Sequence, residues 1–120
     1  MSLSIEHREI APATRVITIQ GKLQLGSECV AALERLVPQL VEDGARNLVF
    51  DLSGVTRIDS TGIGRFIDTY GRLQKSGGQM RLAGAAGPVR ESFRLTLLDR
   101  IFSFYPNVDA ACEGLADTAR

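Results

Sequence analysis

Hydrophobic and polar residues alternate at the start of the chain. Residues 3–10 alternate imperfectly and residues 15–20 more regularly, and the turn-forming sequence Ala-Pro-Ala at 11–13 separates them. Alternation with a period of two is typical of strands with one buried face. The pattern therefore predicts an antiparallel hairpin in this part of the chain.

Helical spacing replaces alternation over residues 27–43, and Gly44 stands where a helix stop is expected. Pro38 lies inside this stretch. Because a proline in a helix interior costs about 3 kcal/mol, we expect a kink or a break there. The apolar residues that repeat at helical spacing are Cys29, Val30, Leu33, Leu36, Val37, Leu40 and Val41.

The remaining elements alternate between strands and helices. Residues 48–52 are almost continuously apolar, which is typical of a central strand buried on both faces of a parallel sheet. Further strands are predicted at 80–83 and 101–105. Helices are predicted to begin near Ser60, at Gly87-Pro88 and near Asn107, whose side chain can cap its helix. The residues expected to face inward from the second and third helices are Ile63, Phe66, Ile67, Tyr70, Leu73, Val89, Phe93 and Leu97.

This order of elements predicts an α/β fold, in which an N-terminal hairpin leads into a mixed, largely parallel sheet of about five strands with helices packed against it. No linker, repeat or low-complexity tract interrupts the sequence, so residues 1–120 are expected to form a single domain. A domain of this size buries roughly two thirds of its unfolded surface and needs no metal or disulfide to fold.

Charge and composition exclude several classes of partner. Fourteen basic and fourteen acidic residues give a formal net charge of zero, so the positive surface that nucleic acid or an anionic membrane requires is missing. No apolar run approaches the ~20 residues that span a bilayer, and the first residues are too polar for a secretion signal. Cys29 and Cys112 are interpreted as buried thiols of a reducing compartment. We therefore expect a cytoplasmic protein without membrane or nucleic-acid partners.

The most informative segment is Asp-Ser-Thr-Gly-Ile-Gly at 59–64, where the second predicted helix begins. A hydroxyl at this point, from Ser60 or Thr61, is the natural N-cap. Glycine costs about 0.5–1 kcal/mol relative to alanine in a helix interior, so the glycines here need a further reason. Either the helix packs unusually close to its neighbours, or an external partner approaches its backbone. The glycines concerned are Gly62, Gly64 and Gly71.

Catalytic interpretations of the same segment each lack a necessary residue. A Walker loop needs a lysine that is absent between Gly54 and Ser60, and a dinucleotide fingerprint needs a glycine where Ile67 stands. A serine hydrolase needs a base, but the single histidine, His7, lies in a polar part of a predicted strand. Thr61 interrupts an aspartic-protease triplet. The sequence predicts no catalytic site, cofactor or metal.

Several segments taken together resemble a known family. They are Gly-Lys-Leu at 21–23, Val-Phe-Asp-Leu-Ser-Gly-Val at 49–55, Ile-Asp-Ser-Thr-Gly-Ile-Gly at 58–64, Gly-Gly-Gln-Met-Arg-Leu at 77–82, and Pro-Val-Arg at 88–90 followed by Phe93. In this order, and over nearly the whole chain, the sequence resembles STAS domains, specifically the bacterial anti-sigma factor antagonists.

The resemblance implies a switch at the hydroxyl that follows the aspartate, here Ser60. In such systems the unphosphorylated domain binds a partner that is both anti-sigma factor and serine kinase, which frees a sigma factor. Phosphorylation of the serine releases the domain, and a separate serine phosphatase resets it. A phosphoserine adds about −1.5 to −2 charges, which a docked interface beside Asp59 accommodates poorly. Thr61 is a minor alternative acceptor.

The loop after the second strand departs from the family pattern. Gln24 stands where the family usually carries an acid, and Lys22 replaces another common acid. This departure favours an alternative, a constitutive STAS adaptor that docks on a transporter ATPase or a signalling complex without phosphorylation. In both cases we expect a monomer that binds other proteins. The residues implied in partner binding are Lys22, Gln24, Asp59, Ser60, Thr61, Gly62, Ile63 and Gly64.

Overall fold

Five strands pair into one mixed sheet in the order β1-β2-β3-β4-β5 in the computed structural model, which describes residues 5–115. The hairpin of β1 and β2 is antiparallel, and every other neighbouring pair is parallel. The strands are β1 Ile5–Ala11, β2 Thr14–Leu23, β3 Asn47–Ile58, β4 Gln79–Ala83 and β5 Ser103–Tyr105; the helices are α1 Glu28–Glu42, α2 Ser60–Lys75, α3 Gly87–Leu95 and α4 Val108–Cys112. The predicted α/β fold, with its hairpin and largely parallel sheet, is confirmed.

The two faces of the sheet bury different sets of side chains. Strand alternation turns Ile17 and Phe50 toward the larger core, which α1, α2 and α3 cover, and turns Val16 and Val49 toward a smaller core beneath α4. Aromatic rings tie the larger core together, with Phe66 of α2 in edge contact with Phe50. Within residues 5–115, three helices therefore lie on one face and one short helix on the other.

Helix α1 continues through Pro38 as a single element, so of the two expected outcomes the break is wrong and the kink stays a prediction. Buried side chains lie on both sides of the proline, and Leu33, Val37 and Leu40 are each less than 5% exposed. Burying a leucine or valine contributes about 1.5–3 kcal/mol each, which together outweighs the cost of the proline.

Several boundaries and orientations differ from the sequence-based expectation. Strand β3 runs to Ile58 instead of ending at residue 52, because its pairing with β2 continues to Leu23 after its pairing with β4 has ended at Asp51. Strand β5 begins at Ser103, after a short 3-10 turn. Ile67 and Leu97, both predicted to be buried, are exposed, and Leu97 lies beyond the end of α3 with a left-handed φ of 62°.

The helices within residues 5–115 are too short or too polar to cross a bilayer. In the same part of the chain, no group of three or more histidine, cysteine, aspartate or glutamate side chains is placed to bind a metal ion.

Candidate functional site

Asp59 is the N-cap of α2, which corrects the prediction that Ser60 or Thr61 plays this role. One carboxylate oxygen, Oδ1, accepts the backbone N–H groups of Thr61 at 2.9 Å and Gly62 at 3.1 Å. Asp59 has the extended backbone typical of a cap, and helix α2 begins at the next residue. The carboxylate therefore satisfies the free N–H groups of the helix start, and neither hydroxyl is needed for that purpose.

The second carboxylate oxygen of Asp59 fixes the loop between β2 and α1. Oδ2 accepts the backbone N–H of Leu25 at 3.0 Å, while the backbone N–H of Asp59 donates to the carbonyl of Leu23 at 3.1 Å. The hydrogen bond from Leu25, with those from Gly62 and Thr61, holds the pKa of Asp59 below its usual range. The aspartate thus stays ionised, and it joins the loop that contains Gln24 to the start of α2.

Ser60 is the first residue of α2, and its side chain is exposed. Within the described chain its hydroxyl makes no hydrogen bond, since Asp59 already caps the helix. Thr61 is partly buried beside it. Of the two hydroxyls in the segment, Ser60 is therefore the accessible one.

Gly62 and Ile63 lie beneath this surface. A Cβ atom on Gly62 would lie 2.3 Å from the carbonyl oxygen of Leu23 and 2.9 Å from the side chain of Ile58. Ile63 is 8% exposed and belongs to the larger core. Close packing of the helix against its neighbours, one of the two explanations considered for the glycines, thus applies to Gly62. Both residues support the helix start from inside, and the implied contact of Gly62 and Ile63 with a partner stays a prediction.

Gly64 and Gly71 have a different environment, because an added Cβ on either would meet open space. They follow Ser60 on α2 at helical spacing, together with Ile67, which is 48% exposed. No packing within the described residues explains glycine at these two positions. We define the docking face as the exposed Ser60 and Ile67, the half-buried Gly64 and Gly71, and the exposed Leu25 of the adjoining loop.

Two apolar members of the docking face, Leu25 and Ile67, were not predicted from the sequence to be part of an interaction surface. Leu25 is 79% exposed, although its backbone is fixed by Asp59. Leu25 follows Gln24, which was predicted to bind a partner. An isolated leucine in a polar loop was the sequence signal that could have identified Leu25 as a surface contact. Ile67 was assigned to the core because it repeats at helical spacing with the other apolar residues of α2. An exposed leucine whose backbone is fixed at the start of a helix that carries an exposed isoleucine is typical of an interaction surface.

Gln24 and Lys22 precede Leu25, the loop residue whose backbone N–H donates to Asp59. The backbone of Gln24 forms a turn with Ser27, whose Oγ caps α1 through the N–H of Val30. Lys22 is exposed on β2, one residue before the buried Leu23. Since neighbouring strand residues point to opposite faces, Lys22 points away from the face on which α2 packs.

Comparison with known proteins adds three findings. The sequence profile of the STAS domain matches residues 5–111. The anti-sigma-B factor antagonist of Bacillus subtilis is 34% identical over 98 residues, which cover 82% of this chain and 84% of that protein. The crystal structure of an anti-sigma factor antagonist from Mycobacterium paratuberculosis is 33% identical, with a TM-score of 0.75 over 90% of this chain and 91% of that chain.

A more distant structure shares the fold. The Bacillus cell fate determinant SpoIIAA in its phosphorylated form is 16% identical, with a TM-score of 0.70, and the match covers 97% of this chain and 99% of that chain.

Proposed function

Because this chain belongs to the STAS domain family, and within it to the anti-sigma factor antagonists, we propose that it binds an anti-sigma factor with serine kinase activity and that phosphorylation of Ser60 ends the binding. The unphosphorylated protein would sequester that factor and free a sigma factor. A serine phosphatase would restore the binding form. In this proposed role the protein acts in the cytoplasm as a single-domain monomer and catalyses no reaction itself.

The position of Ser60 carries the proposal. Its hydroxyl is exposed at the start of α2 and is not engaged in capping, because Asp59 caps the helix. A kinase active site can therefore reach it without unfolding the helix. SpoIIAA, which shares the fold, exists in a phosphorylated form. The new phosphate would lie at a helix N-terminus, where negative charge is tolerated, so the folded domain would survive the modification.

The docking face supplies the surface that the phosphate would disrupt. Gly64 and Gly71 leave the backbone of α2 accessible. Leu25 adds an exposed apolar side chain from the loop bound to Asp59, and Ile67 adds another about two turns along the helix. A partner that covers this face would exclude water from Ser60. Two negative charges at Ser60, next to the ionised Asp59, would then face an interface with no room for hydration.

Phosphorylation itself tests the acceptor. We expect incubation with ATP and the anti-sigma kinases of the same genome to add a single phosphate, measured by intact mass. Ser60→Ala should abolish the addition, and the neighbouring Thr61→Ala should leave it intact because Thr61 is partly buried. A phosphate that persists in Ser60→Ala and disappears in Thr61→Ala would move the acceptor to Thr61. If no kinase adds a phosphate, the constitutive adaptor becomes the favoured function.

The two glycines of α2 that border open space give a second test, in which stability and binding change in opposite directions. Gly64→Ala and Gly71→Ala should each raise the free energy of unfolding by about 0.5–1 kcal/mol, because alanine is the better helix former and meets open space. The same methyl groups should weaken binding of the anti-sigma factor, since they occupy the docking face. Urea titration and calorimetry measure the two effects. Greater stability with unchanged affinity would remove these glycines from the interface.

A further inference from the structure

Two positive side chains lie opposite each other near the end of the sheet that carries Ser60. Lys22 of β2 and Arg57 of β3 are register partners, and both are exposed. Their neighbours Leu23 and Ile58 are also register partners and pack against Gly62 of α2. Strand alternation therefore turns Lys22 and Arg57 to the same face, away from α2.

A β-bulge creates this pairing. The register runs from Gly21 and Val55 directly to Lys22 and Arg57, so Thr56 is an extra residue in β3. The hydroxyl of Thr56 donates to the carbonyl of Gly21 at 3.3 Å. Without the bulge, Lys22 would lie opposite the neutral Thr56. Bulges interrupt the ladder of hydrogen bonds and redirect side chains near functional sites, and here the redirected side chain is Arg57.

No ion pair within residues 5–115 neutralises the positive charges of Lys22 and Arg57. Within residues 5–115 neither Lys22 nor Arg57 takes part in an ion pair, although arginines elsewhere in the same range do, such as Arg65 with Glu34 and Asp68. Like charges directly opposite each other on neighbouring strands destabilise a sheet. This part of β3 also lies beyond its pairing with β4, so one of its edges is open. The fold thus tolerates an unfavourable contact where β3 pairs with β2 alone.

We propose that Lys22 and Arg57 form an electropositive docking element that recognises an acidic surface on the anti-sigma factor. The inference rests on the proposed function. Arg57 precedes Ser60 by three residues, so their Cα atoms lie within about 11 Å of each other. A partner that covers Ser60 and extends past Asp59, round the end of the sheet to the face opposite α2, would reach both cations. An acidic patch there would relieve their repulsion and accelerate encounter.

An acidic protein surface suits the pair better than nucleic acid does. The formal net charge of the chain is zero, and nucleic-acid binding requires several phosphate contacts from a broad basic surface. Two adjacent cations match a pair of carboxylates instead.

Charge reversal tests the docking element. The probe is the anti-sigma factor that the wild-type protein captures and releases on phosphorylation. Association rates are measured for the wild type, Lys22→Glu, Arg57→Glu and the control Arg46→Glu, at ionic strengths from low to physiological and above. Arg46 is also exposed, but it precedes β3 at the opposite end of the sheet. We expect each of the first two variants to associate about tenfold more slowly at low salt and to depend less on salt, with no change in Arg46→Glu.

Folding of the variants is checked independently. Lys22→Glu places opposite charges in register and should unfold at a denaturant concentration no lower than the wild type does. If both reversals associate at the wild-type rate with the wild-type salt dependence while Ser60→Asp still prevents binding, the docking element is refuted and the proposed switch stands. If Ser60→Asp binds normally, the switch itself fails. Binding of a labelled DNA duplex that both reversals remove would assign the pair to nucleic acid and overturn the inference.

Discussion

Replacing Ser60 with aspartate is expected to weaken binding of the anti-sigma factor by on the order of 100-fold or more. The docking face would close over the new carboxylate next to Asp59, and an uncompensated buried charge costs about 3–5 kcal/mol. The folded domain should not suffer, because the first turn of α2 contains no acidic residue and a carboxylate there interacts favourably with the helix dipole. Calorimetry with the purified factor measures the affinity, and denaturant unfolding confirms that the variant is folded.

Ser60→Asn is the matched control, because asparagine has the size of aspartate without its charge. We expect Ser60→Asn to bind far better than Ser60→Asp and Ser60→Ala to bind about as well as the wild type. Equal losses in the asparagine and aspartate variants would mean that size, and not charge, blocks the interface. Equal binding by all three would contradict the switch and support the constitutive adaptor, the alternative that Gln24 suggested.

The identity of the helix cap shows what the sequence could not resolve. Asp59, Ser60 and Thr61 are consecutive residues that all cap helices well, so local preference does not distinguish them. The choice depends on where β3 ends. Its pairing with β2 continues to Ile58, which leaves Asp59 as the first residue free to turn into the helix. A contact between strands more than thirty residues apart in sequence therefore decided that the Ser60 hydroxyl is free.

The orientation of α2 was predictable only in part. Periodicity identified Phe66 and Leu73 as core residues, and both are buried. Ile67 lies at the margin of the same apolar stripe, where hydrophobicity does not tell whether a neighbouring element covers it. The structure leaves it uncovered, which turned an expected core residue into a member of the docking face. The bulge at Thr56 had no signal in the sequence, since it depends on the register of two strands.

Gly62→Ala should be the most destabilising single methyl on α2, lowering the free energy of unfolding by about 2 kcal/mol or more. Its Cβ would lie 2.3 Å from the carbonyl oxygen of Leu23, a backbone atom that also accepts the N–H of Asp59. Neither the carbonyl of Leu23 nor the backbone of Gly62 can move without separating the helix start from β2. The gain in helix propensity, about 1 kcal/mol at most, does not offset this strain. Denaturant unfolding measures the loss.

Gly64→Ala is the control for Gly62→Ala, because it adds the same methyl group two residues later on the same helix. One substitution meets backbone and the other meets open space, so their effects on stability should have opposite signs. If Gly62→Ala proved as stable as Gly64→Ala, the contact between α2 and the carbonyl of Leu23 would be looser than described. The precise placement of Ser60 depends on that contact, since Asp59 and Gly62 both meet this carbonyl. Opposite signs would show that Gly62 is required for packing the helix start against β2, whereas Gly64 leaves the surface of α2 accessible.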